Sequence, residues 1–203
     1  MTRAKAMELK KTFTNEFSLI HQLCEHILAN SQSTTLLATT LQTLLKFLSW
    51  IPVGFIFKTN MIDFLVGKFL PVEMFRNFSI QCLTEIVSIP SDQISGEQIQ
   101  KLFFLFMGQV EKIFGANTDL ATAFPKFSNK EQSFVNHLNL FFTSLFKNHL
   151  SSLELNEQLY PKIIVAHHYI SSITCVPELE IFKATLEYWN FLVSCFSFQY
   201  LFS

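Results

Sequence analysis

The sequence predicts an all-α protein, on three observations. Apolar residues recur at helical spacing nearly everywhere, and no long alternating run competes with them. Helix breakers are scarce, with five Gly and six Pro in 203 residues. Hydroxyl and carboxamide residues stand where helix starts need them.

The stripes follow in chain order. Phe13, Phe17, Ile20, Cys24, Ile27 and Leu28 predict a helix over about 5–30. Leu37, Leu41, Leu44, Leu45 and Leu48 predict one over 33–50, which Ser33 or Thr34 can cap. A shorter helix falls at 60–70. Phe75, Phe78, Cys82, Leu83 and Ile86 give 73–89. Ile99, Leu102, Phe103, Phe106, Val110, Ile113 and Phe114 give 97–114, and Ser95 with Gln98 has capping-box spacing. Phe134, Leu138, Phe141, Phe142, Leu145 and Phe146 give 131–150, behind a second box of Ser128 and Glu131. The next helix, 157–174, must begin near Tyr160 or kink at Pro161. Phe182, Leu186, Trp189, Val193 and Phe196 give 178–198, with Pro177, Glu178 and Glu180 as its first turn. The longest connection, 115–130, reads as an ordered loop packed on the surface.

Composition sets the class. Mean hydropathy is +0.30 and 24 residues are Phe, ample bulk for a core. No stretch reaches the ~20 apolar residues of a spanning helix: the most apolar one, Phe47 to Phe57, lies between Lys46 and Lys58 and contains Pro52 and Gly54. Arg3, Lys5, Lys10 and Lys11 are not followed by an apolar run, so they do not open a secretory signal. A net charge of −1 and a pI near 6.6 give no field that would select nucleic acid or an anionic membrane. Cys24, Cys82, Cys175 and Cys195 are scattered through apolar patterns and read as four buried thiols in a reducing compartment.

Catalytic constellations are not legible. His21 and Glu25 share a helical face without a third metal ligand at suitable spacing, and read as a surface polar pair. His167 and His168 are adjacent and point to different faces. His137 and His149 read as partly exposed. Glu154 with Glu157, and Glu178 with Glu180, read as helix-dipole compensation at helix starts. No nucleophile elbow, phosphate loop or metalloprotease motif occurs. The expectation is no enzyme, no catalytic, metal or cofactor residue, and no cofactor. The basic residues, Lys46 to Lys183, are dispersed and read as a solvated face or as the lining of a concave binding surface.

Pairing the helices suggests an architecture. Taking 33–50 with 60–70, 73–89 with 97–114 and 131–150 with 157–174, and counting 178–198 as the next, the first helices of successive pairs start 40, 58 and 47 residues apart, the 58 containing the long 115–130 loop. Such periods suit HEAT-type hairpins. One amphipathic hairpin cannot bury its stripe alone, whereas stacked hairpins bury one another's. The fold class is therefore a HEAT-repeat α-solenoid of about four antiparallel hairpins, an open-ended slice of a longer superhelix. A compact helical bundle is the alternative. A single array over 1–203 is expected, with second helices such as 97–114 and 157–174 on the inner wall.

The strings Phe47-Leu48-Ser49-Trp50-Ile51-Pro52, Met74-Phe75-Arg76-Asn77, Cys82-Leu83-Thr84-Glu85-Ile86 and Leu186-Glu187-Tyr188-Trp189-Asn190 occur in the order found in one family. Over residues 12–193 the chain resembles the exportin-one family of nuclear export receptors, in the importin-beta superfamily. That resemblance implies a ring-like HEAT superhelix. It implies partners too: Ran–GTP, export cargo with leucine-rich signals, and nucleoporins, with shuttling between nucleus and cytoplasm, no direct nucleic acid and no membrane insertion. The family's export-signal groove and reactive groove cysteine lie beyond this segment, so no groove residue is expected here and no Ran-contact residue is assigned. The tail, Ser194 to Ser203, departs from the family pattern and reads as a truncation, an altered gene end or a degenerate copy. The alternative function is a non-transporting helical scaffold.

Overall fold

The computed structural model describes residues 14–201, and side chains over 16–195. Phe13, the basic residues from Arg3 to Lys11, and the side chains from Phe196 onward lie outside the described residues. Ten α-helices are described and, among the described residues, no strand. The chain divides into two compact units, 1–86 and 87–203.

The first unit begins with α1 (Thr14–Asn30) and α2 (Thr34–Phe47). Ser33 caps α2 by accepting the Leu36 N–H. Phe17 at the start of α1 meets Phe47 and Trp50 at the far end of α2, with centroids 6.1 and 5.8 Å away. The two helices therefore form an antiparallel hairpin. The uncharged polar residues of α2 suit a helix because Thr39, Thr40 and Thr43 each donate to the carbonyl four residues back.

After α2 come α3 (Val53–Lys58) and α4 (Met61–Asp63), which runs into a π-helical stretch, Phe64–Phe69. Met61, Leu65 and Phe69, and likewise Ile62, Val66 and Leu70, are buried at intervals of four. A wider turn keeps both rows on one face better than a period of 3.6 does. Lys68 sends its ammonium to the Leu28 and Ala29 carbonyls at the end of α1, where a cation meets the negative helix end. Then α5 (Glu73–Val87) lays the Cys82 thiol 3.6 Å from the Leu41 carbonyl of α2.

The second unit is built on α6 (Gly96–Phe114), α8 (Asn129–Glu154), α9 (Tyr160–Thr174) and α10 (Leu179–Leu201). Both expected capping boxes form, at Ser95/Gln98 and at Ser128/Glu131. Phe103 meets Phe146, Phe106 stacks on Phe141 at 3.9 Å, and Phe114 stacks on Phe134 at 5.6 Å. Falling numbers on α8 against rising ones on α6 make this pair antiparallel. Between α8 and α10 both numbers rise: Asn139 donates to the Ile181 carbonyl at 3.3 Å, Phe146 lies 6.1 Å from Tyr188, and Lys147 pairs with Glu187 at 3.7 Å. Along α6 and α9 with their flanking residues they rise as well, from Gln100 with Asn156 just ahead of α9, through Glu111 with Lys162, to Gly115 at the end of α6 with Tyr169. Two antiparallel hairpins, α6/α8 and α9/α10, therefore lie side by side with like helices parallel. That is the stacking a HEAT-type array requires.

The connection from α6 to α8 is ordered, as expected. Gly115 turns out of α6 with φ +81°, a left-handed value that glycine adopts without strain. Asp119 caps the one-turn helix α7 (Leu120–Ala123) and accepts from the Ser172 hydroxyl of α9 at 2.8 Å. Leu120 and Phe124 are buried beneath it.

Several expectations need correction. The helix over 33–50 ends at Phe47, and α3 fills part of the supposed connection. The predicted 131–150 runs over Asn129–Glu154. Helix α9 begins at Tyr160 behind a short 3-10 turn, Glu157–Leu159, so Pro161 sits in its first turn, where a missing N–H costs nothing. Pro177 precedes α10 and is not inside it. The pairing shifts by one helix: α1 pairs with α2, α6 with α8, and α9 with α10. The helices predicted as inner walls, 97–114 and 157–174, open their hairpins and do not close them. Spacing cannot reveal this, because a helix in a stack has apolar neighbours on both sides.

Candidate functional site

The parallel pair α8 and α10 borders two clefts. One, of about 320 Å³, is walled by Gln132, Asn136, Glu178 and Glu180. The other, of about 120 Å³, lies between Phe146 and Phe191, with Lys147 and Glu154 beside them. The Lys147–Glu187 ion pair stands between their levels on the two helices. Carboxylates and side-chain amides over a shallow apolar floor suit contact with another protein's side chains.

On its solvent side α10 presents Leu179, Phe182, Leu186 and Val193, which are 64, 42, 43 and 63% exposed. The offsets 0, 3, 7 and 14 place these residues on one face. The stripe predicted as core for this helix is thus largely surface, and the residues facing inward are Ile181, Thr185 and Tyr188. On α1, Leu19 and Leu23 are similarly exposed.

Several titratable groups are held in the packing. His167 stacks on Phe146 at 4.6 Å. Its Nδ1 lies 2.8 Å from the Ile163 carbonyl and its Nε2 lies 2.7 Å from the Tyr188 hydroxyl. Burial pushes His167 below the usual histidine range, and it raises Tyr188. Tyr169 is pushed up to about 12, again by burial, while donating to the Gly115 carbonyl at 2.7 Å. Cys24 and Cys82 are buried, and burial raises both thiols. Thiols so raised are poor nucleophiles. Among the described residues, no group of three or more His, Cys, Asp or Glu side chains can hold a metal ion. No described helix is long and apolar enough to cross a membrane.

Some of the predicted placements fail here. His21 is wholly buried and is no surface group; its supposed partner Glu25 instead accepts the Asn60 N–H at 3.1 Å. His149 is 2% exposed, with Nε2 3.1 Å from the Val87 carbonyl, whereas His137 is half-buried as expected. Cys175 and Cys195 are exposed. Glu154 ends α8 and does not begin a helix. His167 and His168 do face differently, the second being exposed.

Known proteins resolve the register. A family model described as "Exportin 1-like protein" matches residues 1–83, and one described as "Chromosome region maintenance or exportin repeat" matches residues 162–195. The second runs from α9 into α10, the same hairpin the geometry gives. Exportin-1 of Schizosaccharomyces pombe is 41% identical over 194 residues, Exportin-1 of Drosophila melanogaster 40% over 193, and Protein EXPORTIN 1A of Arabidopsis thaliana 39% over 193. Over nearly its whole length the chain is similar to exportin-1 proteins. The matches cover 95–96% of this chain but 18% of each of these relatives, so the chain spans about a fifth of their length. The all-α HEAT-type fold agrees with the exportin-repeat match over α9 and α10. The signals that could have placed the α8–α10 face were the two capping boxes and the short 175–178 connection. They fix where helices start and which neighbours must fold back.

Proposed function

We propose that the chain is a segment of a nuclear export receptor and acts by binding proteins rather than by catalysis. The observation that carries this reading is kinship with exportin-1 proteins over 95% of the chain, joined to stacked antiparallel hairpins in the second unit. The whole receptor binds Ran–GTP and export cargo together. Each raises the other's affinity because both favour one conformation, a coupling that is reciprocal. Nucleoporin contacts carry it through the pore, so it shuttles between nucleus and cytoplasm. In this reading residues 1–203 form one continuous array. The helices that close each hairpin, α8 and α10 in the second unit, form the partner-facing layer, with the polar cleft at Gln132 and Glu178 as a contact point.

The test is retention of the whole chain on immobilised Ran, loaded with a non-hydrolysable GTP analogue or with GDP. Retention by the GTP form alone supports the reading. Equal or no retention by both forms reduces this segment to scaffold.

A second reading, a helical scaffold without transport activity, draws on the exposed stripe of α10. Apolar surface of that kind invites self-association or chaperone binding. A chain that stays monomeric across a wide concentration range counts against it.

A further inference from the structure

His21 is an unusual core residue. It is wholly buried in the first unit, and among the described residues neither Nδ1 nor Nε2 has a hydrogen-bond partner. A neutral imidazole carries one N–H donor, so one donor is already stranded. An imidazolium would strand two and add a charge. The ring lies 6.1 Å from that of Phe55 on α3, at an interplanar angle of 47°.

Its charged surroundings are thin. Glu25, one turn further along α1, is the carboxylate that favours the protonated ring, and burial outweighs it. Part of that carboxylate is engaged by the Asn60 N–H. Cys24 on the same helix is held neutral by burial. On the following segments Lys58 and Asp63 are exposed, and Lys68 is engaged at the end of α1. On α2, Lys46 is exposed.

We propose that His21 is an acid-sensitive latch: when the ring takes up a proton it leaves its apolar site, and α1 separates from Phe55. The neutral ring holds the latch closed at pH 7.5. Because the folded ring resists protonation, closure is fully stable above the ordinary histidine range near 6.5. It weakens as pH falls toward the folded value, where the open state binds the extra proton. The proposal goes beyond the transport reading and does not depend on it.

The test is hydrogen exchange of the whole chain at pH 7.5 and 5.5, corrected for intrinsic exchange, read on peptides from α1 and from 53–60. Protection is expected to fall at the lower pH, by at most about tenfold per pH unit for uptake of one proton. His21→Phe should abolish that fall, while His26→Gln, at an exposed position, should keep it. The same fall in His21→Phe overturns the proposal. If that variant does not fold, the His21 ring is titrated by NMR in the unaltered chain. A midpoint below the ordinary histidine value supports the latch, and one at or above it overturns the latch.

Discussion

His167 and Tyr188 fix one another. The Ile163 carbonyl can only accept, so Nδ1 of His167 carries the proton, and Nε2 accepts from the Tyr188 hydroxyl at 2.7 Å. This pair ties α9 to α10 at the level where Phe146 stacks on the imidazole.

Tyr188→Phe removes the donor and leaves a buried Nε2 unsatisfied. We expect a loss of about 1–3 kcal/mol in urea unfolding. Nitrogen NMR should show His167 in the Nδ1–H form in the unaltered protein. An unchanged unfolding midpoint in the variant would refute the role given to this bond.

Phe106 is fully buried and stacked on Phe141. Phe106→Ala should cost about 3–5 kcal/mol. Phe104, two residues earlier and 53% exposed, has Lys162 5.1 Å above its ring, and Phe104→Ala should cost ~0.5–1 kcal/mol. Chemical denaturation of the two variants checks the predicted order.

The second unit should lose stability in acid. Burial lowers His137, His149 and His167 from their ordinary value. A lowered folded value means that the unfolded chain takes up protons first as pH falls below about 6.5. The stability these neutral rings carry is therefore complete above that pH and declines through their folded values. Urea midpoints read on tryptophan fluorescence should drop between pH 7.5 and 5.5, and His149→Gln should drop less.

The stripe on α10 can be changed cheaply. Phe182→Ser with Leu186→Ser, at positions 42 and 43% exposed, should leave the melting temperature within a few degrees. Self-association seen by sedimentation should decrease. A large loss of stability would mean that these side chains belong to the core.

Much of the fold is legible in the amino-acid sequence. The helix class, the two capping boxes and the ordered 115–130 loop follow from local rules, because a cap or a turn is decided within four residues. The family follows from ordered strings. What escapes depends on neighbours distant in sequence. The helical period says that a residue faces something apolar, not whether that neighbour lies in the same hairpin or in the next, so spacing alone pairs the helices one place late. Phe182 and Leu186 fit the periodic stripe as well as Ile181 and Tyr188 do, and only packing against α8 and α9 chooses between them. His21 reads as a surface residue because polarity is the usual guide to exposure. The π-helical stretch at 64–69 escapes as well, because the four-residue spacing of its buried side chains suits an ordinary α-helix equally.

Helices α8 and α10 run parallel, as closing helices of adjacent hairpins, and the whole stacked arrangement depends on it. Pulsed electron resonance between spin labels tests it, in a background with Cys175→Ser. One pair labels Leu140→Cys and Phe182→Cys with Cys195→Ser; the other labels Ser151→Cys and the native Cys195, which line one cleft. Positions 182 and 195 lie about 20 Å apart along a helix. Both matched pairs should be close, and the crossed pairs, 140 with 195 and 151 with 182, should be clearly longer. Short crossed pairs and long matched ones would contradict the parallel arrangement.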